Sequence, residues 1–186
     1  MIKTYKYRIV PSEELAIKID KYLDACRWVY NWGLARNIEH YQTTGKHLTA
    51  FDLSRELTQI RNREPLVGIG RRPLEKALVR LDKAYRKFFR EHKGFPKFRS
   101  RFYDQSMTID VGLKMDWQTN TLSVTLFPAI PVRISQKFDG KMKQAVIKRT
   151  PTGKYFVSIT VEDGLVISKP KRIGAKTTAG IDLGGS

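Results

Sequence analysis

Ile2-Lys3-Thr4-Tyr5-Lys6-Tyr7-Arg8-Ile9-Val10-Pro11 is the stretch that decides how this chain must be built. Ile2, Thr4, Lys6, Arg8 and Val10 alternate with Lys3, Tyr5, Tyr7 and Ile9, and Pro11 ends the run. It reads as a strand with a substantial side-chain surface on both faces. Past Pro11 the pattern becomes helical. Ser12 is placed to cap a helix whose first turn holds Glu13 and Glu14, where the helix dipole favours acid. Apolar positions Leu15, Ile19, Tyr22, Cys26, Val29, Tyr30, Leu34, Ile38 and Tyr41 keep helical spacing up to Gly45, which predicts one long helix or two in line. Thr49 opens a second helix carrying Leu53, Leu57 and Ile60. Residues 65–70 read as a loop, Pro73 opens a third helix, and Leu74, Ala77, Leu78, Leu81, Tyr85, Phe88 and Phe89 carry it to about Gly94.

Beyond residue 105 the pattern turns to β. Residues 107–111, 121–127, 132–134, 144–150 and 155–162 have strand composition, with Pro151-Thr152-Gly153 joining the last two as a hairpin. A single strand, a helical block and then about five strands is hard to divide into two adjacent domains. A small β-barrel interrupted after its first strand by a helical insertion explains it, because residues 2–10 would otherwise have no partner. Residues 169–176 then read as a basic linker into residues 178–184.

The 186 residues carry a net charge of +17, a single cysteine and 41% hydrophobic side chains. Self-repulsion of that size points to a polyanionic partner, with nucleic acid the default. The charge is uneven: residues 59–109 hold fourteen basic and five acidic side chains, whereas residues 12–58 are close to neutral. No apolar run is long enough for a membrane span, and the first residues lack the hydrophobic block of a signal peptide, so an intracellular, cytoplasmic protein is expected. A membrane-surface role would need a basic helix with a free apolar face, and here the basic helix needs that face for folding. Cys26 alone excludes an internal disulfide or a cysteine-based zinc site within these residues.

The strongest chemical signal is Tyr85-Arg86-Lys87-Phe88-Phe89-Arg90-Glu91-His92-Lys93-Gly94-Phe95-Pro96-Lys97-Phe98-Arg99-Ser100-Arg101-Phe102, with seven basic residues and six aromatics interleaved. Cations neutralise phosphates and rings stack on unpaired bases. Two readings stand for the rings, core filling and base stacking. Cys26-Arg27-Trp28-Val29-Tyr30-Asn31-Trp32 is aromatic all round, and Arg27 and Asn31 within it need partners from protein or nucleic acid. His40, His47 and His92 have no ligand-like spacing, and no phosphate-binding glycine loop or Ser/His/Asp arrangement is present. Gly180-Ile181-Asp182-Leu183-Gly184 sets one carboxylate at the end of an apolar run, where it can face a divalent metal.

These segments, in this order, resemble the TnpB (OrfB) family of transposon-encoded RNA-guided DNA nucleases, relatives of type V CRISPR effectors. The resemblance rests on Tyr5 to Pro11, on Cys26 to Trp32, on Leu74…Ala77-Leu78…Leu81-Asp82…Ala84-Tyr85…Phe88-Phe89, on Gly94-Phe95-Pro96-Lys97-Phe98, and on Gly180 to Gly184. It implies an α+β fold: an oligonucleotide-binding-like wedge barrel built from residues 1–11 and 94–170, split by a helical recognition lobe at 12–93. A linker and the start of a RuvC nuclease domain of RNase H fold would occupy 171–186.

By the same resemblance, the partners are a guide RNA from the transposon end and a target DNA beside a short adjacent motif, with pairing supplying specificity. The nucleic-acid-binding candidates are Lys6, Arg8, Arg27, Tyr30, Asn31, Arg80, Lys83, Arg86, Lys87, Lys97, Arg99 and Arg101. Ser54, Arg71 and Glu75 are the motif-reading candidates. Asp182 matches the first RuvC carboxylate, which helps hold magnesium. The later carboxylates and the zinc ribbon are missing from this sequence, so these residues alone are expected not to cleave, and a separate nuclease half is an expected partner. A nucleoid-associated, cleavage-incompetent RNA-guided DNA-binding protein and a general RNA-binding protein remain as alternatives.

Overall fold

The computed structural model describes residues 1–164. Its elements run β1 (Ile2–Ile9), α1 (Glu13–Thr44), α2 (Ala50–Ile60), α3 (Arg71–Glu91), β2 (Gln105–Ile109), β3 (Lys114–Asp116), β4 (Thr121–Val124), β5 (Phe127–Arg133), β6 (Lys141–Arg149) and β7 (Tyr155–Glu162). The result is a mixed α/β fold with one antiparallel sheet in the order β2-β6-β7-β1-β5-β4-β3. The sequence-predicted linker, RuvC strand and Asp182 lie outside the described residues.

β1 sits inside the sheet. It pairs along its whole length with β7, from Ile2 opposite Glu162 to Ile9 opposite Tyr155, and pairs with β5 at Arg8 and Ile9. One face of the sheet is buried, through Tyr7 and Ile9, Met107 and Ile109, Phe127, Ile130 and Val132, Ala145 and Ile147, and Val157, Ile159 and Val161. The other face of β1, with Thr4, Lys6 and Arg8, is in solvent. The strand therefore carries side chains on both faces, one packed into the core and the other in solvent.

β2 and β3 occupy opposite edges of the sheet yet are joined by residues 110–113 alone. Seven flat strands would hold those edges about 29 Å apart at the usual strand spacing. Five Cα steps reach at most about 18 Å. The sheet is consequently curled, and the Thr125 amide meets the Val111 carbonyl at 3.4 Å where the curl comes round. Gly112 makes this approach possible: its φ is +65°, and a Cβ there would stand 2.8 Å from the Thr125 nitrogen.

The β boundaries differ from expectation in two places. β3 was not anticipated, being only three residues long. The run read as a strand over 121–127 breaks at Thr125 and Leu126, so Phe127 begins β5, which continues through Pro128 and Pro131. Those prolines are tolerated because β5 meets β1 only at its last residues, leaving few ladder positions that need an amide.

The helices follow their caps. Ser12 accepts from the Leu15 amide, and Gly45 closes α1 in the left-handed region, giving one unbroken helix about 48 Å long. Thr49 and Asp52 form a reciprocal capping box at α2. α3 starts at Arg71, so Pro73 is its third residue, still within the first turn where a missing amide costs nothing. His92, not Gly94, takes the left-handed position after α3, with φ 49°. α1 and α3 pack closely because Gly33 has no side chain: a Cβ there would be 2.9 Å from Leu78 Cδ2 and 3.1 Å from Leu81 Cδ2. Buried Asn37 both donates to and accepts from the Leu48 backbone, fixing the approach to α2.

Candidate nucleic-acid interface

Strand register, invisible in the sequence, sets a row of side chains across the outer face of the sheet. Arg133, Arg8, Phe156, Lys148 and Ser106 are successive Cα partners on β5, β1, β7, β6 and β2. Lys6 lies one step along, its Nζ 4.7 Å from the Phe156 ring centroid. Like charges directly opposite one another on a sheet repel. Arg8 and Arg133 face each other with no acidic side chain paired to either among the described residues. A polyanion laid across the row would relieve that repulsion and meet an aromatic ring beside the cations.

Several of the basic-aromatic candidates have partners inside the protein. Asn31 accepts the Arg99 amide at 2.8 Å and donates to the Arg99 carbonyl at 2.9 Å. The Arg99 guanidinium lies 3.7 Å from the centroid of the Tyr30 ring, which is buried. Arg80 donates to both the carbonyl and the hydroxyl of Ser106, and burial, followed by the nearby Arg99 charge, pulls its pKa below the ordinary value. Arg27 pairs with Asp24 at 2.9 Å. Arg86 pairs with Asp82 at 2.7 Å while keeping most of its side chain in solvent. Asn31 and Tyr30 clasp the segment between α3 and β2 onto α1, and Arg80 ties α3 to β2. Burial pushes the Cys26 thiol up to about 12, consistent with an inert core thiol.

The remaining cations are open. Lys83, Lys87, Lys97 and Arg101 are exposed, and Arg101 lies 5.1 Å from the ring centroid of Phe102. Phe98, Phe102 and Tyr103 are also exposed, so the rings divide: Tyr85 is core, while these three face solvent.

Ser54, Arg71 and Glu75 come together across the α2–α3 junction. Arg71 Nε donates to Glu75 Oε1 at 2.6 Å, Ser54 donates to the same oxygen at 3.1 Å, and a second Arg71 nitrogen lies 3.4 Å from the Ser54 hydroxyl. Such a set offers a hydroxyl, a carboxylate and a guanidinium on one surface, a chemistry suited to base edges. Among the described residues, no three His, Cys, Asp or Glu side chains are grouped to hold a metal, and no helix is long and apolar enough to cross a membrane. Arg133, Phe156 and Lys148 were not anticipated as site residues, since only the pairing register aligns them with Arg8.

A basic, partly aromatic surface on a mixed α/β scaffold is suited to a polyanion. A family model described as a helix-turn-helix domain, of the OrfB IS605 type, matches residues 1–46. In this structure that segment is one strand and one continuous helix, with α2 following it. The chain is 25% identical over 98% of its length to "Putative RNA-guided DNA endonuclease InsQ" of Escherichia coli (strain K12). It is also 25% identical over 96% of its length to "Putative RNA-guided DNA endonuclease" of Streptomyces pristinaespiralis. It spans 45% and 46% of those relatives. The family model and both relatives point the same way as the resemblance to the TnpB (OrfB) family.

Proposed function

We propose that this chain is the nucleic-acid-holding portion of a transposon-associated RNA-guided DNA endonuclease. In this reading the curled sheet is an oligonucleotide-binding-like wedge barrel, the three helices between β1 and β2 form the recognition lobe, and residues 171–186 open a RuvC domain in which Asp182 contributes to a magnesium site. The partners are a guide RNA derived from the transposon end and a target DNA.

The observation that carries the reading is the Arg8–Arg133 couple on the outer sheet face, without an acidic partner among the described residues and flanked by Phe156 and Lys6, with Lys148 beyond them paired to Asp104. Charge of one sign held face to face is costly in the free protein and is offset when phosphates bind. Lys83, Lys87, Lys97 and Arg101 add exposed positive charge on α3 and the segment after it. Ser54, Arg71 and Glu75 are assigned to the adjacent motif of the target.

The test is to sequence the RNA that co-purifies with the chain. RNA from the end of the encoding transposon is expected, enriched over the cellular pool and lost on Arg8→Gln/Arg133→Gln substitution. RNA unrelated to the locus would leave a general RNA-binding protein and overturn the guided reading.

A further inference from the structure

Between the C-terminal half of α1, the loop before α2 and the last turns of α3 lies an open cavity of about 340 Å³. That size falls within the range of small-molecule sites. Phe95 stands edge-on to Tyr85 and Phe88, at 5.6 and 5.3 Å between centroids, and Phe89 packs against Phe88 at 5.1 Å. Tyr41 and His47 also line it, and His47 lies 5.9 Å from both Tyr85 and Phe89.

Three of these rings are held in water: Tyr41 is 53% exposed, Phe89 48% and Phe95 45%. Half-exposed rings converging on one hollow mark a binding surface. The cavity also carries polar groups able to meet a flat ligand's edge, the Gln42 carboxamide and the His47 imidazole, whose Nε2 lies 3.7 Å from the buried Asp82 carboxylate.

The occupant is indicated by charge. On α3, Arg86, Phe89 and Arg90 are spaced to share one helix face. Lys46 lines the adjoining cleft with Tyr41, His47 and Phe89. An apolar peptide or a second copy of this basic chain has no use for cations at that rim. A nucleobase does, because it brings a π-face to the rings, a polar edge to His47 and Gln42, and a phosphate on either side to the cations. A base stacked within a duplex presents no free face, which restricts the ligand to an unpaired one.

We propose that this cavity takes one unstacked nucleobase of a bound single strand, with the flanking phosphates on Lys46 and Arg90. The assignment rests on the nucleic-acid reading above and deepens it.

The test uses the whole chain with short single-stranded RNA and DNA of one sequence, each carrying a single 2-aminopurine, and with the corresponding duplex. Expected for the wild type is quenching of the 2-aminopurine on binding, and its preference for RNA or DNA identifies the strand. A Tyr41→Leu/Phe89→Leu chain keeps apolar bulk but loses the stacking faces. It is expected to lose at least about fivefold in single-strand affinity with duplex affinity unchanged, and Phe89→Trp should retain both quenching and affinity. A melting curve matching the wild type establishes that the leucine chain folds.

Unchanged single-strand affinity in the folded leucine chain would overturn the proposal while leaving salt-sensitive nucleic-acid binding intact. An equal loss on single strands and duplex, or a loss of self-association in sedimentation, would overturn it too. A wild-type chain that binds neither strand nor duplex would remove both this proposal and the function it rests on.

Discussion

Asn31 holds the backbone of Arg99 by both of its polar groups, accepting from the amide at 2.8 Å and donating to the carbonyl at 2.9 Å, across 68 positions of sequence. Two hydrogen bonds from one side chain fix both the position and the direction of the segment that leads from α3 into β2. Asn31→Leu leaves the Arg99 amide and carbonyl without these partners in a half-buried site. A loss of about 1–3 kcal/mol in thermal or denaturant unfolding is expected, with faster amide exchange confined at first to residues 95–104. Exchange unchanged there would show that the clasp is not what holds the segment.

Gly112→Val combines two penalties, a β-branched residue at φ +65° and a side chain driven onto the Thr125 backbone. The expected cost is about 2–4 kcal/mol, read as a lower melting temperature and exposure of the sheet edges to dye binding. A control substitution at exposed Gly94, which has open space around it, should be close to neutral.

Asp110 joins the end of β2 to the start of α3. The hydrogen bond from Arg72, with a further one from Lys76 at 2.6 Å, holds its carboxyl below the usual carboxylate range. A folded pKa depressed in this way contributes stability above the unfolded value and loses it as pH falls through the folded one. Asp110→Asn should therefore be less stable than the wild type at neutral pH, by about 1 kcal/mol given the exposure of Arg72. The difference should shrink as pH falls through the depressed folded pKa, in melts recorded across the acid range.

Lys87, Lys97 and Arg101 are exposed and carry no ion pair among the described residues. Replacing all three with glutamine should leave the melting temperature unchanged. Nucleic-acid affinity should fall, and the slope of log affinity against log salt should drop by about 2–3. A slope equal to that of the wild type would show that these cations do not reach phosphates.

Local signals made most of the helical part legible. Ser12, Gly45 and Thr49 mark helix ends by chemistry that acts within a few residues, and α1 and α2 fall where those residues place them. Gly94 misled by two positions because His92 adopts the left-handed conformation that glycine more often supplies. Charge and aromatic interleaving located the basic segment. They could not separate Arg99, spent on Tyr30, from Arg101, which reaches solvent, since that depends on how the segment folds back against α1. Arg133 and Phe156 were illegible for a related reason. Their place beside Arg8 is a property of strand register, and no local pattern encodes which strands pair.

β1 is made first, yet its full-length partner β7 closes with Tyr155–Glu162, so Ile2 waits for Glu162 before the ladder between them exists. The helices can form from local contacts long before that. During synthesis the helical insertion can thus fold while the first strand is still unpaired. Folding should be limited by this longest-range pairing, and the exposed edges of β1 are the surface most open to aggregation in the interval.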